Sequence, residues 1–253
     1  MNTIHSFDLD PIVEQINTHF IEIPSGEFWM GHDGGLLGEF PSHRVELDSF
    51  FLNVYQVTNQ EYALFLKATG HTVPLCWNEP FFNHPLQPVC GVNWYDAIAY
   101  CEWLGEKLEK RCHLPTEAQR EWAARGGIHG EKYPWGNISL PLEGSYAQGL
   151  KGVEVGYPQE VGQQPPNHFG LFNIADNVHE WCADYFKIDY YSDSPIKNPR
   201  GPQKGDKRVA RGGSWRHDIK FCQNAARARL NPKLRFADFG FRVAMSQKFE
   251  YFI

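Results

Sequence analysis

Arg211-Gly212-Gly213-Ser214-Trp215-Arg216-His217-Asp218-Ile219-Lys220-Phe221-Cys222 is the stretch on which the reading of this chain turns. Its paired glycines permit a positive φ or a close backbone approach, which presents Ser214 on a tightly shaped turn. Arg216, His217 and Lys220 all lie within six residues of Cys222. Positive charge beside a thiol lowers its pKa from about 8.5 toward neutrality. Two readings of Cys222 are therefore open: a reactive thiolate or metal ligand, and a buried structural cysteine beside surface basic residues. His217 likewise reads as a ligand or acid/base group, or as a hydrogen-bonded loop histidine.

Short extended runs flank this stretch, at Arg208–Arg211 and from Phe239 to Ala244. Between Gly126 and that first run almost nothing is periodic, and Tyr133-Pro134-Trp135-Gly136-Asn137 reads as a turn cluster. Further upstream, helical spacing returns. Thr58-Asn59-Gln60-Glu61 has the form of a capping box, with Tyr62, Phe65 and Leu66 as the apolar face and Gly70 as the stop. A second helix spans roughly Trp94 to Glu109, capped by Asn93, and places Cys101 on its core face. A third follows Pro115-Thr116-Glu117 and ends at Gly126-Gly127. The strand-like runs lie between Phe20 and Tyr55, with turns at Pro24-Ser25-Gly26 and Gly34-Gly35. The latter lacks the Lys-Ser/Thr and helix of a phosphate loop. Asp10 to Phe20 places Ile12, Val13, Ile16 and Phe20 at helical spacing, a short amphipathic helix of an N-terminal extension over residues 1–19 that is expected to pack on its own domain.

At 253 residues, the chain can bury roughly 70–75% of its unfolded surface and needs no disulfide or metal merely to fold. Its 23 Gly and 17 Pro predict many turns and few long elements. An aromatic content of 15% predicts ring side chains in grooves as well as in the core. The net charge of −6, with no Lys/Arg run, argues against nucleic acid as a partner. No apolar run reaches the length of a membrane span. The first twenty residues lack the pattern of a signal peptide, which makes the cytoplasm the default compartment. None of the six cysteines forms a Cys-x-x-Cys pair, so most are expected to be buried thiols.

Ten motifs in order carry a resemblance. They are Ile23-Pro24-Ser25-Gly26-Glu27-Phe28-Trp29-Met30-Gly31, Pro41-Ser42-His43-Arg44-Val45, Gln56-Val57-Thr58-Asn59 and Pro88-Val89-Cys90-Gly91-Val92-Asn93-Trp94-Tyr95-Asp96-Ala97. Leu114-Pro115-Thr116-Glu117-Ala118, Tyr133-Pro134-Trp135-Gly136 and Gly170-Leu171-Phe172-Asn173 follow. Asn177-Val178-His179-Glu180-Trp181, Arg211-Gly212-Gly213-Ser214-Trp215 and Gly240-Phe241-Arg242 complete the series. Over residues 20–245 the chain resembles the formylglycine-generating enzyme, or sulfatase-modifying factor, family. The resemblance implies an α+β fold for residues 20–253. That fold is a single loop-rich domain, a variant of the C-type lectin fold, with a small twisted antiparallel sheet and two main helices.

It also implies a site. In the family two cysteines five residues apart bind copper and activate oxygen; the second matches Cys222, and the first matches His217. Imidazole plus thiolate is a borderline ligand set that accepts copper, iron or zinc, so two-cysteine formylglycine generation is not expected. The resemblance points to Cys222, His217, Ser214 and Arg227 as catalytic residues, with copper or iron held by Cys222 and His217. Arg227 and Arg242 read from the residues alone as anion clamps or as ties on loop carbonyls. Trp181, Trp215 and Phe221 become candidate substrate contacts, and residues 133–185 the groove. Asn177 and Glu180 match a structural calcium site. A second calcium loop of the family is missing between Tyr146 and Val161. His179 stands where the family is usually aromatic, and reads as a stacked ring or a metal ligand. Two functions follow: a metal- and oxygen-dependent oxidoreductase acting on a peptide or small molecule, and a non-catalytic C-type-lectin-like binding module.

Overall fold

Thr58, Asn93 and Thr116 each cap a helix with their own side chain, and the residue three positions on answers each of them. In the computed structural model, which describes residues 11–137, 156–217 and 219–246, Glu61, Asp96 and Gln119 return the bond to the cap backbone. These reciprocal bonds satisfy amides that helix starts leave orphaned. They fix the starts of α2 (Asn59–Thr69), α3 (Trp94–Leu108) and α4 (Glu117–Arg125). Gly70 and Gly126 end the first and last of these in the left-handed region, at φ 66° and 60°.

The N-terminal helix α1 (Pro11–Thr18) sends Val13 and Ile16 into the same core as Tyr62, Phe65, Tyr100 and Leu104. It is thus packed on its own domain. Tyr62 and Tyr100 stack at 5.7 Å between ring centroids and join the helices face to face.

Strands β1 (Phe20–Ile23), β2 (Gly26–Met30), β3 (His43–Leu47) and β4 (Phe50–Asn53) follow α1. Alternation places Phe28, Met30, Val45 and Leu47 inward on the β2–β3 hairpin. A Cβ at position 26 would collide with the Trp122 ring, so Gly26 lets α4 lie against this hairpin. A four-stranded sheet has the order β1-β4-β10-β5, where β5 is Cys112–His113 and β10 is Ala244–Met245. A second has the order β8-β7-β6-β9, built from β6 (His179–Tyr185), β7 (Arg208–Arg211), β8 (Arg227–Leu230) and β9 (Phe239–Gly240).

Two strand expectations need correction. The run from Phe239 to Ala244 is two short strands in two different sheets, because residues 241–243 cross between them. Phe241 O accepts from Val57 N, and Val243 O from Asn53 N, which ties the crossing to the β4–α2 connection. The stretch before Arg208 also contains β6, which sequence periodicity did not reveal. His179 to Cys182 are all buried, so the strand lacks the in-out alternation by which strands are recognised. The fold is otherwise the expected α+β arrangement, with long ordered connections between short elements. Among the described residues no helix is long and apolar enough to cross a membrane.

Glu61 is fully buried, and burial pushes its carboxyl up to about 7, against the opposing hydrogen bonds from Thr58. A raised folded-state pKa gives stability that is complete below the ordinary glutamate value and lost as pH rises through the folded value. Glu61→Gln keeps an oxygen for the Thr58 amide and cannot ionise. Urea unfolding between about pH 5 and 8 is expected to show the wild type losing stability relative to the variant. The slope should be at most about 1.4 kcal/mol per pH unit. Parallel pH profiles for the two proteins would refute this account of Glu61.

Candidate functional site

The Gly212-Gly213 pair is pinned to the segment that precedes β6. Gly213 N donates to Ala175 O at 3.0 Å, and Trp215 N to Asn177 O at 2.8 Å. Gly212 has φ 78°, and a Cβ at Gly213 would collide with the Cys222 sulfur, so the turn needs both glycines. His217 N donates to Ser214 O, curling the loop so that both side chains face the same point. The parallel pairing of β6 with β9 sets His179 opposite Phe239, and His179 N donates to Asp238 O. Three separate segments thereby bring His179, Ser214, His217 and Asp238 together.

Distances are short. His217 Nδ1 lies 2.8 Å from His179 Nε2, 3.0 Å from Ser214 Oγ and 3.6 Å from Asp238 Oδ2. Ser214 Oγ donates to Asp238 Oδ2 at 3.3 Å. His179 Nδ1 faces Gly212 O at hydrogen-bond distance, which puts its proton on Nδ1 and leaves Nε2 with a lone pair. Burial pushes His179 down to about 4, outweighing the nearby Asp238, so its ring is neutral at neutral pH. Asp238 is nearly buried, whereas the His217 side chain is 37% exposed. The cluster therefore has a buried floor and an open edge.

Glu180, next along β6, faces the opposite way into charge. Its carboxylate accepts from Arg120 Nε at 2.7 Å and from Arg242 Nε and Nη2 at 3.2 Å each. Burial alone would raise this carboxyl, but the two guanidinium groups hold it below the ordinary value. Gln56 Nε2 sits against four oxygens at 3.0–3.3 Å: Glu180 Oε1 and the carbonyls of Asn173, Asp176 and Val178. An amide nitrogen has two protons for those four acceptors, and Gln56 Oε1 is buried without a hydrogen-bond partner. Were the Gln56 amide turned so that Oε1 pointed inward, these groups would be the hard oxygen donors that a calcium ion takes. Glu180 belongs to this set, but the Asn177 side chain does not. Asn177 Oδ1 accepts from Gln159 N and its Nδ2 donates to Gln159 O, so that carboxamide is already committed. The expected absence of a second calcium loop before Val161 falls mostly outside the described residues.

Cys222 is not a member of the group formed by His179, His217 and Asp238. It ends a short 3₁₀ turn, Ile219–Cys222, and packs as a buried thiol with Tyr133 and Ala175 behind Gly213. The groups able to hold a metal together, among the described residues, are His179, His217 and Asp238. Copper held between two thiolates does not fit these residues: one sulfur is replaced by His217, whose ring turns to nitrogen and oxygen neighbours.

Other expectations shift too. Arg227 is a structural tie: Nε and Nη2 bind both oxygens of Glu117 at 2.6 and 2.8 Å, and Nη1 donates to Gly38 O. Trp181 is wholly buried in the main core, with Nε1 donating to Val92 O, so it cannot touch a substrate. Trp215 is partly buried, edge-on to Phe82, with Nε1 donating to Ala237 O. Phe221 lies beside the His217 ring and on the wall of a 260 Å³ cavity. That cavity, and a neighbouring one of 430 Å³, take their walls mainly from His32, Lys132 and Gln223 with the residues around them. Of residues 133–185, expected to supply the groove, the described ones contribute Asn137 to these walls, and residues 138–155 lie outside the described residues. Asp238 was missed, since a lone acid before Gly240 has no spacing to His217 that marks it.

Removing one partner of a buried ion pair leaves the other charge uncompensated. Arg227→Ala is therefore expected to cost about 3–5 kcal/mol in urea unfolding. A loss of under about 1 kcal/mol would show that Glu117 finds enough compensation in Arg211 alone.

The chain matches the sulfatase-modifying factor enzyme 1-like domain over residues 8–247. It is 33% identical to the formylglycine-generating enzyme of Streptomyces coelicolor over 283 residues, covering 88% of each chain. It is 35% identical to the serine/threonine-protein kinase pkn1 of Chlamydia pneumoniae, where the match spans 93% of this chain but 39% of the relative. The solved structure of PvdO from Pseudomonas aeruginosa superposes with a TM-score of 0.75 at 28% identity, covering 90% of this chain and 94% of PvdO. With the fold, the order of its motifs and a match over nearly the whole chain in agreement, this protein belongs to the sulfatase-modifying factor, or formylglycine-generating enzyme-like, family.

Proposed function

We propose that this protein is a metal- and oxygen-dependent oxidoreductase of the formylglycine-generating enzyme-like type that does not run the two-cysteine reaction. The carrying observation is the convergence of Ser214 and His217 on Asp238 and His179, at the turn where the family resemblance puts the chemistry. A peptide or small molecule would approach over the open edge at His217. Ser214 and His217 there offer a hydroxyl and an imidazole for binding and for moving a proton. Two-thiol chemistry needs a second sulfur beside Cys222, and the buried wall of Tyr133, Ala175 and Gly213 offers none.

Oxygen uptake by protein supplied with Fe(II) or Cu(I), a reductant and a thiol-bearing peptide mixture is expected to exceed that of His217→Ala and Ser214→Ala by at least about tenfold. Peptide aldehyde should not form above the level given by Cys222→Ala. Cys222-dependent aldehyde would restore formylglycine generation as the function. Uptake no greater than buffer would leave the second reading, a non-catalytic binding module on the C-type-lectin-like scaffold. That alternative draws its support from the burial of Cys222.

The oxygen cage at Glu180 supports a structural calcium ion, held by Glu180 and the carbonyls of Asn173, Asp176 and Val178. It would brace the turn of residues 173–178 against Glu180 on β6. The expected result is a melting temperature that falls on chelation and recovers with Ca²⁺. Indifference to both would assign the cage to Gln56 alone.

A further inference from the structure

Ligand atoms about 2.0–2.2 Å from one metal, at angles of about 90–109°, stand about 2.8–3.6 Å apart. His217 Nδ1 is 2.8 Å from His179 Nε2 and 3.6 Å from Asp238 Oδ2, and the three atoms all lie within 4.8 Å of one another. Two of the three separations thus match the edges of a coordination polyhedron, and the third lies within 4.8 Å. His217 Nδ1 carries at most one proton, yet it faces an imidazole lone pair, a hydroxyl oxygen and a carboxylate oxygen together.

Outer contacts also orient the set. The backbone carbonyl of Gly212 holds His179 Nδ1, which aims Nε2 at the centre. Asp238 Oδ1 is turned toward Arg216 at 3.5 Å, leaving Oδ2 inward. Phe239 and Phe221 flank the two imidazole rings and limit their rotation. The exposed edge of His217 leaves the opposite face open.

We infer that His179, His217 and Asp238 form a mononuclear site for a divalent first-row transition metal, with Cys222 outside the coordination shell. Two neutral imidazoles and one carboxylate leave a net positive charge on such an ion and open positions for water, dioxygen or an anionic substrate group. This facial arrangement suits Fe(II), and it also accepts Co(II) and Zn(II). Ser214, 3.0 Å from His217 and donating its hydroxyl proton to Asp238 Oδ2 at 3.3 Å, is placed to orient that carboxylate toward the ion. The inference rests on the reading of this loop as a metal-dependent centre and names its ligands.

Co(II) titration of the full-length apoprotein tests it, followed by absorbance and by equilibrium dialysis. One equivalent should bind to the wild type and to Cys222→Ala alike, with ligand-field bands and no intense sulfur-to-cobalt charge-transfer band. Affinity should fall about 100-fold or more in His217→Ala and Asp238→Asn, whose apoproteins are checked against the wild type by melting temperature. A charge-transfer band that vanishes in Cys222→Ala overturns the inference on the wild-type spectrum itself, whatever the variants do. Substoichiometric binding, or binding unaffected by Asp238→Asn, overturns it also. Cobalt binding without oxygen uptake on Fe(II) loading would uphold the site and remove the oxidoreductase reading. Oxygen uptake that survives Asp238→Asn would keep that reading and remove this site.

Discussion

Helix α4 turns charge inward. Glu117, Arg120, Glu121 and Arg125 are all buried, and their partners come from distant parts of the chain. Arg120 reaches Glu180 on β6, Glu117 takes Arg227 on β8, and Glu121 takes Arg211 on β7 as well as Arg125 in its own helix. A buried charge without a partner costs several kcal/mol, so these pairings must form together for the helix to dock at all. The constraint is one of register more than of net stability. Each guanidinium has a single position from which it can meet its carboxylate and the loop carbonyls beside it.

The loops inherit their order from that network. Arg211 donates to the carbonyls of Asn224, Ala225 and Ala226, which holds the segment just after Cys222. Arg120 also donates to Ile174 O, and Arg242 to Asn53 O and Phe172 O. Long connections that bury backbone oxygens need such donors, because no sheet or helix supplies them. The site is then a by-product of precise loop placement. Gly213 is pressed against residue 175, β9 is set beside β6, and His179, His217 and Asp238 meet across the join.

Much of this was legible in particular residues. Thr58 with Glu61 and Thr116 in its Pro-Thr-Glu setting announced helix starts, since capping is a local matter settled within four residues. Gly70 and Gly126 announced the stops for the same reason. Strand β6 was not legible, because His179 to Cys182 are buried together and show no period of two. Arg227, catalytic only by resemblance and in sequence an anion clamp or a loop tie, is in space the partner of Glu117 and of Gly38 O. Trp181 reads in sequence as a pocket wall or as core, and burial decides for core. Charged faces on α4 carry the helical period of a solvated surface, so nothing in their order discloses that they point inward.

The sequence by itself determined the family, the helix boundaries and the loss of one thiol at His217, because each is written in neighbouring residues or in motif order. Tertiary structure alone decided which groups share a site. His179, His217 and Asp238 are separated by dozens of residues or lie on different elements, and no spacing links them. Their meeting depends on a parallel strand pair and a glycine turn packed against it. It likewise decided that Cys222, five residues from His217, faces a different wall. A 3₁₀ turn carries the sulfur behind Gly213, where a side chain at that position would leave it no room.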